Sequence, residues 1–185
     1  MKSFDLNMKK LENLIHYICF KADRDKLSAV KLHKILWYSD STYYLQYKEP
    51  IVGETYVKGP HGPMSPHAEK AIKNLKDQDK LAVSNVKYYS GYKREYVPLV
   101  NPDLLEFSAR EISHVDSWID EICRGTASDI SEFSHNEIWK VADMGESLPY
   151  SAAIFAPAAP PSVDCLAWAE SIEYEESLTK EALEA

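Results

Sequence analysis

The chain has 185 residues, 45% of them hydrophobic, which suits one globular domain and excludes a disordered, collagenous or coiled-coil chain for most of its length. No apolar run approaches the roughly 20 residues that cross a bilayer, the first ten residues lack the apolar stretch of an export signal, and the widely spaced Cys19, Cys123 and Cys165 form neither a disulfide scaffold nor a metal knuckle, so a cytoplasmic protein is expected. The net charge of −8 averages two unlike halves: residues 1–100 hold 17 Lys/Arg against 11 Asp/Glu (+6), and residues 101–185 hold 4 against 18 (−14).

Met8, Leu11, Leu14, Ile15, Ile18 and Cys19 recur at steps of three and four, which predicts a helix from Leu6 to Lys21. Lys9, Lys10, Glu12, Asn13 and His16 fall off its apolar stripe. A charged loop, Asp23–Lys26, precedes Ser28, the expected N-cap of a second helix over Ala29–Tyr47 that stops before Pro50. On this helix Leu32, Leu36, Ser39 and Tyr43 share one face, and His33, Trp37, Asp40, Tyr44 and Tyr47 share the next. Lys31, Lys34 and Tyr38 are expected to point outward.

A strand over Glu54–Lys58 leads into Gly59-Pro60-His61-Gly62-Pro63, where two Gly-Pro pairs argue against regular structure and for a rigid connection. Ser65 as N-cap and Pro66 at the first helical position then start a helix to about Asp79, with Ala68, Ala71, Ile72 and Leu75 inward. Leu81–Tyr89 and Tyr92–Leu99, rich in Val and Tyr, read as a hairpin turning at Ser90-Gly91. Ile112, Val115, Ile119 and Ile122 line a helix from Ser108 to Arg124 that stops at Gly125. Ser128 or Asp129 caps a short helix through Ile130 and Phe133. Ala152–Pro161 reads as a linker, and Ser162 onward as a helix ending in an acidic tail. The fold class is therefore α+β: a predominantly helical single domain over residues 1–155 with a small antiparallel sheet (strand plus hairpin), then a Pro-rich linker and acidic helix or tail over 156–185.

Little of this supports catalysis. His33 and Asp40 share a helical face, but seven residues of helix separate them by about 10 Å, so they are expected in a buried polar cluster with the tyrosines rather than as an acid–base pair. No nucleophile stands at a motif-level spacing from a base, and the histidines lack metal-ligand spacing. No enzyme activity, metal or cofactor is expected. The prolines of the Gly-Pro loop remove two N–H donors that a phosphate cradle needs. The order helix, helix, strand, helix, hairpin is that of a winged-helix module, with Tyr88, Tyr89, Lys93 and Arg94 on or near the wing. The helix after Pro63 has no Arg to read bases, however, and Lys70, Lys73, Lys76 and Lys80 could hold only phosphates. Nucleic acid is thus the weaker expectation.

Several segments together resemble a known family. Lys31-Leu32-His33-Lys34-Ile35-Leu36-Trp37-Tyr38-Ser39-Asp40 is similar to the "KLxKLLyfaD" helix of the Panacea domain of SocA-like, phage-associated antitoxins, although Trp37 stands where that family often has Tyr or Phe. The strand and loop from Gly53 to Pro66, the Ser131–His135 segment with Trp139, and the Glu146–Tyr150 segment match later elements of the family in the same order. The resemblance spans roughly residues 8–155. It implies an antitoxin, prophage- or plasmid-linked, that binds and blocks a co-encoded toxin. That toxin could be an alarmone-synthetase-type nucleotidyl transferase or another poison of translation or replication. Some relatives act instead as adaptors that deliver a toxin to an ATP-dependent protease. On this reading Tyr38, Tyr44, Tyr56, His61, Pro63, Ser65, His135 and Trp139 are candidate partner contacts, and the acidic half complements a basic toxin. For His135 and Trp139 the favoured expectation is that they tie the late segment to the core helix, because large aromatics in closing motifs mostly pack.

Overall fold

In a computed structural model of the chain, which describes residues 4–88, 91–126, 134–135 and 137–155, two polar side chains open the first helices. Asn7 Oδ1 accepts from the Lys10 amide at 3.0 Å, and Ser28 Oγ accepts from the Lys31 amide at 3.3 Å. Each takes up an N–H that the first turn leaves without an intrahelical partner. The helices are α1 (Met8–Lys21) and α2 (Ala29–Tyr47). There follow β1 (Val57–Gly59), β2 (Gly62–Met64), α3 (Ala68–Asp77), β3 (Leu81–Tyr88), β4 (Gly91–Pro98), α4 (Ala109–Arg124), α5 (Glu137–Val141) and a 3-10 turn over Tyr150–Phe155. Five α-helices and two separate two-stranded antiparallel sheets among the described residues make a mainly helical α+β domain, as the sequence suggests.

The centre of the domain is α2, which packs against α4, the 3-10 turn, β2 and α1, while α1 also meets α3 and β4. Leu11, Leu14, Ile15 and Ile18 of α1, Leu32, Ile35 and Leu36 of α2, Ile72 and Leu75 of α3, and Val115, Ile119 and Ile122 of α4 form one core. Each such side chain contributes about 1.5–3 kcal/mol by leaving water.

Being surrounded changes the reading of α2. Lys31, Lys34 and Tyr38, expected to face outward, are all buried. A helical wheel assumes one wet face, and α2 does not have one. Helix α4 covers the Tyr38 side: Tyr38 stacks on Trp118 at 4.7 Å between ring centroids. The Trp118 indole N–H donates to Thr42 Oγ1 at 2.9 Å, and the Thr42 hydroxyl in turn donates to the Tyr38 carbonyl. Asn13 and His16 of α1, placed off the apolar stripe, are buried for the same reason, because α1 is packed on more than one side.

The Gly-Pro segment is also a correction. It forms the β1–β2 hairpin, with Pro60 and His61 at the tip and the register Gly59↔Gly62, Lys58↔Pro63, Val57↔Met64. A two-residue loop makes Gly59 and Gly62 the hydrogen-bonded pair, so Lys58 and Pro63 face each other without needing ladder bonds, and the missing N–H of Pro63 costs nothing there. Lys58 turns its backbone the other way, donating to the Glu146 carbonyl at 2.8 Å and accepting from the Gly145 amide at 2.9 Å. The Leu148 amide donates to the Tyr56 carbonyl at 2.8 Å, so residues 145–148 flank β1 as an irregular third ribbon. The expected strand from Glu54 is regular only from Val57.

Ser65 does not cap α3. The helix starts at Ala68 behind His67, which makes no side-chain cap bond, because the Ser65 hydroxyl is committed to Glu54. Strands β3 and β4 pair from Leu81↔Pro98 to Tyr88↔Gly91; Tyr89 and Ser90 lie outside the described residues. Ser108 and Glu111 form a reciprocal capping box on α4, and Gly125 ends that helix in extended backbone that needs no glycine. Ala152 and Ala153 are buried in the 3-10 turn rather than opening a linker. The expected short helix through Ile130 and Phe133, and the chain beyond Phe155 including Cys165, lie outside the described residues. Cys19 and Cys123 are buried free thiols.

Candidate functional site

The site grows from Asp40, the last residue of the Lys31–Asp40 segment. Its carboxylate is fully buried and accepts from the Val52 amide at 2.9 Å, the Glu54 amide at 3.1 Å and the Tyr150 hydroxyl at 2.9 Å. Burial pushes its acid up to about 6 against the opposing pull of these bonds. Tyr150 shares its hydroxyl proton with the Glu54 carbonyl at 2.7 Å, and its ring lies 5.3 Å from Tyr44 and 5.9 Å from Phe4. Asp40 is thus a clamp: it fixes the chain leaving α2 and the closing Pro149-Tyr150 segment to one another. Three of its roughly four lone-pair sites are taken up in this structural role.

Glu54 extends the network. Its buried carboxylate accepts from the Ser65 hydroxyl at 2.5 Å and from the Thr55 amide at 2.7 Å, and lies 3.0 Å from His67 Nδ1. The Ser65 amide donates to His33 Nδ1 at 3.2 Å. Burial pushes the His33 imidazole down to about 4, so near neutral pH it is the uncharged ring that can accept that bond. His33 and Asp40 therefore belong to one polar network, as the shared helical face suggests, but through Glu54 and Ser65 rather than by contact.

Lys34 sits on the same helix beneath the hairpin. It is only 1% exposed, and among the described residues its ammonium has no ion-pair or hydrogen-bond partner. Burial alone pushes its pKa down to about 7. Gly62 makes room for it: a Cβ there would lie 1.9 Å from Lys34 Nζ and 2.3 Å from Ser134 Oγ, and the backbone is left-handed at φ +103°. Only glycine meets both demands. A hollow of about 220 Å³ opens here between the start of α2 and the hairpin, walled by Ala29, Val30, Pro63 and Met64 with His33, Lys34 and His61 on its lining.

The expected contact residues divide accordingly. His61 is exposed at the hairpin tip, and Tyr44, His135 and Trp139 are half-buried. Tyr38, Tyr56, Pro63 and Ser65 are buried, so these four brace the surface from beneath rather than presenting side chains to a partner. The Tyr56 hydroxyl donates to the Leu36 carbonyl at 2.8 Å, and its ring meets Trp37 edge-on at 5.2 Å. His135 and Trp139 stack at 3.7 Å, and the Lys58 ammonium lies 4.3 Å from the Trp139 ring while donating to the Ala142 carbonyl. This ties the late segment to β1. Glu54, His67, Lys34 and Tyr150 were not singled out from sequence as site residues. The readable signals were a lone acid in the apolar run Ile51-Val52-Gly53-Glu54 and a lysine on a helix with no clear polar face.

A family model described as antitoxin SocA-like, Panacea domain, matches residues 32–140, more than half of the chain. The chain belongs to the SocA-like antitoxin family. The Panacea match runs from α2 to α5 and so contains Lys34, Asp40, Glu54, the Gly-Pro hairpin and His67. Helix α1 and the Tyr150 turn lie outside it, yet both pack on the Panacea core, and Tyr150 completes the Asp40 clamp. No curated protein and no solved structure matches the chain. Among the described residues no group of three or more His, Cys, Asp or Glu is placed to hold a metal, and no helix is long and apolar enough to cross a membrane.

Proposed function

We propose that this chain is the antitoxin of a toxin–antitoxin pair and neutralises a co-encoded protein toxin by direct, stoichiometric binding through the Gly-Pro hairpin face. The family match over residues 32–140 carries this reading. The geometry supports it in three ways. The hairpin is a rigid, exposed tip whose backbone is held on one side by residues 145–148. Asp40, Glu54, Ser65 and His33 are joined in one hydrogen-bond network, which fits a scaffold better than an acid–base apparatus. Finally, the hollow beside the tip offers an apolar surface to a side chain of an inserted partner loop, with the buried Lys34 behind it.

The test is co-expression with the neighbouring gene, followed by neutralisation with purified components. The toxin should be lethal alone, co-purify with this chain and lose activity in vitro with no protease present. His61→Glu should weaken the complex without lowering the melting temperature. A harmless neighbour with no co-purifying complex would refute the antitoxin reading, and a requirement for a protease would replace blocking by delivery.

A further inference from the structure

A second and larger hollow, about 770 Å³, opens at the start of α2 beside the turn half of the β3–β4 hairpin, on the other side of Ala29 and Val30 from the β1–β2 hairpin. Its described lining holds Lys26, Lys31, Lys93, Arg94 and Arg124 against one carboxylate, Asp25. Most of these cations are already committed. Lys93 donates to the Arg24 and Asp25 carbonyls at 2.9 and 2.6 Å, Arg94 grips Glu69 with both terminal nitrogens, Arg124 pairs with Glu121 at 3.1 Å, and Lys26 lies 3.5 Å from Asp23.

Lys31 differs. It is only 6% exposed, lines the hollow, and has no ion-pair or hydrogen-bond partner for its ammonium among the described residues. Burial lowers its pKa; Cys123, which lines the same hollow, opposes that shift, and the charges of Lys93 and Lys26 add to it. Lys31 stands in the first turn of a 19-residue helix, where the Ser28 side chain caps the Lys31 amide but the amides of Ala29 and Val30 have no acceptor among the described residues. A lysine with a buried stem and two first-turn amides at the positive end of a helix dipole, none with a partner among the described residues, therefore line one cavity.

We propose that this hollow binds a phosphate-class oxyanion, held by the Lys31 ammonium and the Ala29 and Val30 amides. A phosphoryl group presents three terminal oxygens, matching the three donors. The volume falls within the range that small organic ligands occupy, and Asn85 and the largely exposed Tyr92 line the rest of the space, offering an amide and a ring face to the organic portion of a phosphorylated small molecule. The two hollows meet at Ala29 and Val30, whose side chains also wall the space beneath the β1–β2 hairpin.

The test uses the full chain with pyrophosphate as probe, titrated calorimetrically at constant ionic strength, with citrate as the carboxylate arm. Saturable pyrophosphate binding is expected, weakened about tenfold by Lys31→Gln, as loss of one charged hydrogen bond implies, and unchanged by Lys73→Gln, whose lysine pairs with Asp77 on α3. In parallel, pyrophosphate should shift the Ala29 and Val30 amide resonances of the wild-type protein, a readout that stands even if Lys31→Gln does not fold. No saturation by about 10 mM, equal binding by Lys31→Gln, unmoved Ala29 and Val30 resonances, or citrate binding as tightly as pyrophosphate would each overturn the assignment.

Discussion

Replacing Lys34 with Met should make the protein more stable, and more so in acid than in alkali. The ammonium is 1% exposed with no partner among the described residues, and burial alone takes its pKa from 10.5 to about 7. At 1.36 kcal/mol per pH unit, holding the charged form inside the fold costs about 5 kcal/mol. Methionine matches the lysine stem in length and flexibility and removes the charge, so imperfect packing leaves an expected gain of about 2–4 kcal/mol at pH 6. Below pH 7 both folded and unfolded chains carry the proton and the penalty is full. Between pH 7 and 10.5 the unfolded chain holds a proton that the folded chain has released, so wild-type stability from this group rises with pH and the advantage of the variant shrinks. Urea melts of both proteins at pH 6 and pH 9.5 measure this. A Lys34→Met variant that is less stable at pH 6, or an advantage independent of pH, would refute the argument.

Three further substitutions probe the scaffold. Asp40→Asn leaves one acceptor where the Val52 amide, the Glu54 amide and the Tyr150 hydroxyl now converge, and should cost about 2–4 kcal/mol in urea melts. It should also abolish the fall in stability as pH rises from about 4 to 6, where the folded chain holds a proton on Asp40 that the unfolded chain has lost. Gly62→Ala meets both a left-handed backbone and Lys34 Nζ, so it should lose about 2–3 kcal/mol; adding Lys34→Ala should recover part of that loss in a double-mutant cycle. Ser108→Ala removes the capping box of α4 and should lower stability by about 1 kcal/mol in thermal or urea unfolding, with toxin binding unchanged.

The boundaries of α2 were legible because capping is local: Ser28 starts the helix and Pro50 stands beyond its end, and both act over a few residues of chain. The interior of α1, the pairing of β3 with β4 and the core face of α3 follow from periodicity in the same way. The status of Lys31, Lys34 and Tyr38 was not legible, because it depends on which elements come to lie against α2, and that information resides in α4 and the hairpin. Pro63 misled for a similar reason. Whether its missing N–H breaks a ladder depends on register, and the pairing of Gly59 with Gly62 puts it where no bond is needed.

For the site, the sequence by itself determined the ingredients: the Lys31–Asp40 helix, the two Gly-Pro pairs, the late His/Trp segment and the closing Pro149-Tyr150, whose order marks the family. Tertiary structure alone decided their roles. Burial made Asp40 a clamp and Tyr38 and Tyr56 core residues, joined His33 to Glu54 through Ser65, and left Lys34 and Lys31 as ammonium groups without partners among the described residues. The cost of a charge depends on what surrounds it, and in this fold the surroundings are supplied by residues tens of positions away in the chain.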